Sequence, residues 1–387
     1  AEGLGHGLLL RGTLPTTYRR NGAAGNALGT CNGSLFAGQP ARGVVSPAKD
    51  EAAMSDAKRH FPPPPPLVSQ PPGLWRRTPP AIFPPVMGLL GLGLGWRLLG
   101  EVLANLAIAS VAEAALGAVA LLYVFCAVAW AAKPLRRPGV LIEELQILPG
   151  RAGVAAAVLC LSLLAAVMVP YAPVLALVTV TVSTALLAGL GGLVLWVLAR
   201  GPQEGRVVTP VFHLLFVGHI LAPLTLAPLG YTRLAAAMMV VALAFAVLIW
   251  AASVVQLWRR VPPAPLRPLL AIHLAPASVA ASVSALLGWG GWAMGFALLA
   301  LVILAGLVAS GRWLLAAGFS PLWGALTFPL AACASAVVAA FGASTAGLAL
   351  GAALLLAGTA LTVPVAIKVL QAWAKGKLAA KTNAATL

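Results

Sequence analysis

The sequence predicts an all-α polytopic membrane protein, and three observations predict this class. The 387 residues are 60% hydrophobic and 9% charged, whereas soluble domains carry about 25% charged residues. The mean hydropathy is +0.96. Apolar stretches of roughly 17–25 residues, the length that crosses a bilayer, recur from residue 81 to residue 372. The short alternating segments typical of an outer-membrane barrel do not occur in the sequence.

Both ends of the chain differ in composition from this apolar domain. Residues 1–80 are rich in Gly, Pro, Ala and Arg and contain "FPPPPPLVSQPPG", which predicts a disordered tail with an extended polyproline run. Because Met54 resembles a natural start, we hypothesise that residues 1–53 belong to an over-extended gene model. N-terminal sequencing of the native protein would reject this by finding residues before Met54. Residues 376–387 are predicted to form a cytoplasmic C-terminal tail, which leaves 81–375 as the transmembrane domain.

The apolar domain divides into ten predicted spans. Their approximate limits are 81–98, 102–131, 152–170, 173–199, 209–229, 232–257, 268–287, 290–310, 319–341 and 345–372. The connections that follow the odd-numbered spans are short. Consecutive spans are therefore predicted to pair as five helical hairpins, because short connections favour antiparallel neighbours.

Basic residues lie in alternate connections and set the predicted orientation. They follow the even-numbered spans, as Arg136, Arg200 and Arg259 do, whereas "PYAP", "GWGG" and "FGAS" after odd-numbered spans are uncharged. The positive-inside rule therefore predicts cytoplasmic N and C termini. The compact loops favour a prokaryotic source, so the predicted location is a bacterial inner membrane. The same rule explains the net charge of +16, so membrane lipid rather than nucleic acid is the predicted surrounding partner.

Prolines and glycines interrupt several odd-numbered spans. Pro223 lies in span 5, Pro276 in span 7 and Pro329 in span 9, while span 1 contains "FPPVMGLLGLGLGW". Irregular backbone at membrane depth is tolerated where it is buried in protein or lines a cavity. The pattern predicts an inner ring of odd-numbered helices around a pore and an outer ring of more regular even-numbered helices.

Four of these stretches resemble one known family. "GFSPLWGALTFPLAACASAVV" is similar to the ninth helix of the tellurite-resistance/dicarboxylate transporter (TDT) family, which includes bacterial TehA-type channels, plant slow anion channels and fungal malate and sulfite transporters. "FPPVMGLLGLGLGW" resembles its first helix and "HLAPASVAASVSALL" its seventh, while "TPVFHLLFVGHILAPLTLAPLGY" resembles its fifth more loosely. The resemblance covers about residues 81–375.

The resemblance implies a homotrimer in which each ten-helix protomer has its own pore, closed by an aromatic side chain of the ninth helix. Carried over to this sequence, the gate is Phe328. Pro329 matches the plant-channel form of the motif, Pro276 the proline of the seventh helix, and Gly88 a glycine of the first. Pro223, Pro276, Pro329 and Gly88 are thus candidates for helix kinks or pore lining.

Ionisable residues inside the spans are further candidates, since a charge within a bilayer is costly and often functional. His219 would make transport sensitive to pH if it faces the pore, and Glu113 would suit a proton-coupled pathway. His213 is interpreted as interfacial and His273 as a neutral, hydrogen-bonded residue. Glu144, in a charged connection, is predicted to be solvated.

No enzyme site and no cofactor are predicted. His213 and His219 lie six residues apart, on different helical faces, which disfavours a metal or haem site. The four cysteines have no CxxC spacing, and the phosphate-binding GxxxxGK[ST] pattern is absent from the sequence.

The predicted function is transport of small inorganic or organic anions through a pore gated by Phe328. The alternative within transport is a proton-coupled carrier of C4-dicarboxylates, sulfite or tellurite-related oxyanions. Two other classes stay open at this point: a membrane haem or redox protein that uses the membrane histidines, and a scaffold whose proline-rich tail binds a partner.

Overall fold

The structure, a computed structural model, describes Gly73 and residues 77–385. Most of the predicted N-terminal tail, with Met54 and Cys31, lies outside the described residues. Nine helices in the described part of the chain are long and apolar enough to cross a membrane, and no strand occurs between residues 77 and 385. The chain is therefore an all-α polytopic membrane protein, as its composition predicts.

A shorter apolar stretch lies between the fourth and fifth of these helices, and we number all ten stretches in chain order. Segments 1 to 10 are Pro80–Val102, Leu106–Arg136, Leu148–Met168, Pro173–Arg200, His213–Leu226, Thr232–Arg259, Ala264–Leu286, Gly290–Ala309, Pro321–Phe341 and Thr345–Ala374. Minor helices connect or follow them: Gly139–Gln146, Gln203–Arg206, Gly311–Leu314 and Leu378–Lys381.

Segment 5 is shorter than the span predicted over residues 209–229, and its backbone is irregular. It consists of a π-helical turn, His213–Val217, a 3₁₀ turn, Gly218–Leu221, and one α-helical turn, Pro223–Leu226. Pro223 lacks a backbone N–H and its ring crowds the preceding turn, which favours a change of helix type at this point. Stretches of π-helix are rare and occur frequently at functional sites.

Other odd-numbered segments also begin with irregular backbone. Segment 7 starts with a ten-residue 3₁₀ helix, Ala264–His273, before the α-helix Leu274–Leu286. Segment 9 starts with a 3₁₀ turn and then continues as an α-helix through Pro329 to Phe341. Prolines at the start of these 3₁₀ stretches have no N–H to donate to a preceding carbonyl, which favours such short turns. Each even-numbered segment is a single α-helix.

Burial alternates along the chain. In segments 1, 3, 7 and 9, between 67% and 72% of the most apolar window is buried, whereas in the even-numbered segments the share is 17–33%. Segments that bury most of their surface lie inside the domain, and those that expose apolar side chains form its outer layer. Trp258 of segment 6, for example, is 90% exposed. This alternation is what the predicted inner and outer rings require.

The charged connection after segment 2 is more ordered than the sequence predicts. Glu144 was expected to be solvated, but its side chain is fully buried and pairs with the equally buried ammonium of Lys133. Trp130 donates its indole N–H to Glu144 Oε2 at 2.9 Å. A buried carboxylate needs such partners, because desolvation without them is costly. The sequence could not show this pair, since helix Gly139–Gln146 folds back to form it.

The C-terminal residues pack against the same place and are not simply a tail. Leu378 is fully buried and lies in the short helix Leu378–Lys381. Lys133 Nζ donates a second hydrogen bond, at 3.0 Å, to the backbone carbonyl of Ala385. The buried ion pair therefore joins three parts of the chain: segment 2, the helix Gly139–Gln146 and the C-terminal stretch.

Removing one partner of this buried pair should destabilise the protein much more than breaking an exposed pair. We expect Glu144→Gln to lower the free energy of unfolding by about 3–5 kcal/mol, because the charge of Lys133 stays buried without its partner. The matched control is Glu143→Gln: Glu143 pairs with Arg137 at 2.9 Å, with both side chains nearly half exposed, and its loss should cost about 1 kcal/mol or less.

The measurement is thermal unfolding in detergent with a thiol-reactive fluorescent dye. Cys126, Cys160 and Cys333 are free and buried, so their labelling reports the loss of packing. Equal shifts for the two variants would contradict a stabilising role of the Lys133–Glu144 pair.

Candidate functional site

Two cavities lie inside the domain, and among the described residues their linings come only from odd-numbered segments and adjoining loops. The first, which we call the apolar cavity, is lined by the first halves of segments 1, 3, 5, 7 and 9, for example by Pro84, Ala152, His213, Ile272 and Ala325. The volume open to a water-sized sphere is about 60 Å³. Since the first halves of five segments meet here, these segments run in the same direction.

The second cavity, which we call the Arg97 cavity, is lined by the second halves of the same segments. Its lining includes Arg97, Glu101, Ser282 and Ser335 beside apolar side chains. The volume open to a water-sized sphere is about 770 Å³, so this cavity is far wider than the apolar cavity. Its lining is also more polar. Ser282 and Ser335 each donate to a carbonyl one turn earlier in their own helix, as serines in apolar helices commonly do.

Phe328 lies between the two cavities. Phe328 and Val279 line both of them, and Phe328 is only 7% exposed. The two cavities therefore adjoin at these two side chains, and together they form a candidate path through the five odd-numbered segments. The ring of Phe328 is the largest side chain at the position where the two cavities meet.

Segment 1 approaches segment 9 closely enough to hold this ring. A Cβ atom added to Gly91 would lie 2.8 Å from Cδ2 of Phe328, and one added to Gly88 would overlap the side chain of Thr327. Thr327 Oγ1 donates to the carbonyl of Gly324 at 2.7 Å and lies 3.2 Å from the carbonyl of Pro84 in segment 1. A side chain at either position would force segment 9 to shift.

The four predicted kink or pore residues separate into two groups. Pro276 and Pro329 line the apolar cavity. Pro223 and Gly88 are buried but belong to the lining of neither cavity. Gly88 instead permits close packing, and the glycine beside Phe328 is Gly91, one helical turn further along. Sequence spacing could not show which of Gly88 and Gly91 contacts the Phe328 ring, because both glycines lie on the face of segment 1 that meets segment 9.

Glu113 has a partner that the sequence does not reveal. Its carboxylate forms an ion pair with Arg97, with Nη2–Oε2 at 2.7 Å. The same guanidinium donates to the carbonyl of Val167, at the end of segment 3, at 3.3 Å. Tyr171 also hydrogen-bonds Glu113, and this bond raises the pKa of the Tyr171 phenol. The cluster joins segments 1, 2 and 3, and Glu113 lines neither cavity.

The membrane histidines lie in different surroundings from those that the sequence predicts. His213, which was interpreted as interfacial, is 3% exposed and lines the apolar cavity. Its Nε2 lies 2.8 Å from Nδ1 of His273, which is the hydrogen-bonded residue that the sequence predicted. His219 lines neither cavity. Within residues 77–385, no cluster of three or more metal-ligating side chains occurs.

A family model for voltage-dependent anion channels, SLAC1, matches residues 77–370. The matched region contains the described linings of both cavities. The chain belongs to the voltage-dependent anion channel family. This is the TDT family that the four stretches resemble, so the recognition from sequence is confirmed. A search of curated proteins found no match.

Membership of the voltage-dependent anion channel family gives the general activity. Its members are transporters and channels rather than enzymes, and they carry anions across a membrane. This chain is therefore a multi-pass membrane protein for anion transport, and the path through the odd-numbered segments is its candidate transport site.

The close contact of segments 1 and 9 should make Gly88 intolerant of a larger residue. We expect Gly88→Ala to destabilise the protein by about 1–3 kcal/mol, because the new methyl group overlaps Thr327 and overpacks the contact. The control is Gly117→Ala in segment 2, where nothing lies within 4 Å of an added Cβ. That change should be neutral or stabilise by up to about 1 kcal/mol through helix propensity.

Chemical unfolding of the two variants in the same detergent measures this difference. If Gly88→Ala is as stable as Gly117→Ala, the approach of segments 1 and 9 is looser than the structure describes.

Proposed function

We propose that the protein is an anion channel in which the ring of Phe328 closes the path through each protomer. The observation that carries this proposal is the position of Phe328, which lines both cavities and is almost completely buried. In a path lined mostly by small and apolar side chains, one aromatic ring blocks ions by its bulk and by excluding water.

The electrostatics of the path suit a channel that binds its ions weakly. Arg97 is the one basic side chain among the described residues of the Arg97 cavity, and Glu113 neutralises it. Conduction requires binding that is weak enough for the ion to leave. A lone cation at the narrow part of the path would hold an anion too strongly, and the described lining there has none.

The proposed orientation places the apolar cavity on the cytoplasmic side. The first halves of the odd-numbered segments line it, and the basic connections, with Arg200 and Arg259, precede these halves. Positive residues near the cytoplasmic face raise the local concentration of anions. We propose on the same ground that both termini are cytoplasmic, and the homotrimer remains a proposal based on family resemblance.

The proton-coupled carrier is the less favoured proposal. The two residues expected to couple transport to protons, Glu113 and His219, lie outside both cavity linings. Glu113 is also bound by Arg97, so it is better placed to join segments 1 and 2 than to exchange protons with a transported anion.

Truncation of the ring tests the channel proposal. We expect Phe328→Ala to raise chloride or nitrate current at least about tenfold over wild type, which corresponds to lowering the barrier by about 1.4 kcal/mol or more. The control is Phe245→Ala, because Phe245 lies in segment 6 and is 44% exposed, away from the path. Its current should equal that of wild type.

Currents are recorded in planar bilayers or oocytes, with the amount of protein in the membrane measured for each variant. Absence of current in Phe328→Ala at normal surface expression would contradict the channel. Uptake of radiolabelled dicarboxylate and sulfite under a proton gradient would then test the carrier.

A further inference from the structure

Among the described residues, the lining of the apolar cavity includes one polar side chain, that of His213. The other lining residues in the described part of the chain are Ala, Gly, Leu, Ile, Val, Pro, Met and Phe. The imidazole is 3% exposed. Burial of a polar ring in such surroundings is unfavourable unless its nitrogens are hydrogen-bonded, so both nitrogens need to be accounted for.

A second imidazole, that of the partly buried His273, holds His213 in place. His213 Nε2 and His273 Nδ1 are 2.8 Å apart, and the two rings meet edge to face, with centroids 4.9 Å apart and planes at 88°. Trp250 of segment 6 packs beside His213, with centroids 5.9 Å apart, and donates its indole N–H to the carbonyl of His273 at 3.2 Å. The position of His213 is therefore fixed by segments 6 and 7.

The outer nitrogens of the pair lack partners. Within the described residues, His213 Nδ1 and His273 Nε2 are buried and form no hydrogen bond. Two neutral imidazoles carry two N–H protons, and the shared hydrogen bond uses one. When His273 Nδ1 donates that bond, the second proton lies on His213 Nδ1. The pair then offers one unused N–H donor on the residue that lines the cavity.

We propose that His213 is the anion-recognising residue of the apolar cavity and that its Nδ1–H donates a hydrogen bond to the transported anion, with His273 as a positioning residue. This inference rests on the proposed path through the odd-numbered segments. One donor in a narrow apolar cavity suits a small anion with a single charge. A dianion would need several donors to replace its hydration, and the described lining does not provide them.

The position of His213 on the candidate path lets it contact an anion during transport. His213 belongs to the half of the path that ends at Phe328, and the Arg97 cavity does not include it. An anion that gives up its water in the apolar cavity gains the N–H of His213 in exchange. A single neutral donor compensates partly for this loss, so the anion is selected and can still leave.

Binding to the purified protein tests the site without relying on current. The melting temperature is measured in detergent against sodium nitrate concentration, with gluconate replacing nitrate at constant ionic strength, and yields a nitrate Kd through ligand stabilisation. We expect His213→Phe to raise this Kd at least about tenfold. The control is His219→Phe, which changes a neighbouring histidine outside both cavity linings and should keep the wild-type Kd.

The positioning role of His273 has its own pair of variants. His273→Leu removes the hydrogen bond to His213 and should weaken nitrate binding as His213→Phe does. His273→Asn places an amide near the position of Nδ1 and should restore the Kd to within about threefold of wild type, a rescue that a purely structural effect would not give. An unchanged Kd in His273→Leu would overturn the positioning role.

The outcomes separate this inference from the proposed channel. In the first outcome, Phe328→Ala conducts, His213→Phe binds nitrate with the wild-type Kd, and adding His213→Phe to Phe328→Ala leaves the ratio of nitrate to chloride current unchanged. Recognition by His213 is then wrong, and the channel stands. If nitrate binding depends on His213 but Phe328→Ala is silent, the site stands and the gate fails. Should His213→Phe not fold, His213→Gln, which keeps an amide near Nε2 but lacks Nδ1, is used under the same criteria.

Discussion

The close approach of segments 1 and 9 is the contact on which the rest of the candidate site depends. Glycines at positions 88 and 91 allow the backbone of segment 1 to lie against Thr327 and Phe328. Side chains at these glycines would push the two segments apart, because protein interiors are packed too densely to absorb an added methyl group. The ring of Phe328 stays between the two cavities because segment 1 leaves it no other space on that side.

The other glycines of segment 1 lie on different faces of the helix and contact different neighbouring segments. Gly95 meets Ser335 of segment 9 and Leu355 of segment 10, whereas Gly93 meets Leu116 of segment 2. The glycine-rich sequence therefore fits segment 1 among three neighbours at once. This explains why glycines recur there at every second or third position, a spacing that a single packing face would not need.

The fold was largely predictable from the sequence, and the site only in part. Span positions follow from apolar length, and the irregular backbone of segment 5 follows from Pro223. The importance of Phe328 came from family resemblance. Which glycine touches its ring could not be predicted, because this depends on the rotation of segment 1 about its axis. The pairs Arg97–Glu113, Lys133–Glu144 and His213–His273 were also missed, since each joins different helices.

The difference in width between the two cavities has an electrical consequence. The Arg97 cavity is wide and partly polar, so bulk solution can reach the level of Phe328 from that side, and little of a membrane potential falls there. In the proposed channel, most of the voltage then falls across Phe328 and the apolar cavity. A monovalent anion that crosses this half exchanges about 2.3 kcal/mol with the field for each 100 mV. Rotation of the uncharged phenylalanine ring moves no charge through that field, so the voltage acts on the ion and not on the ring.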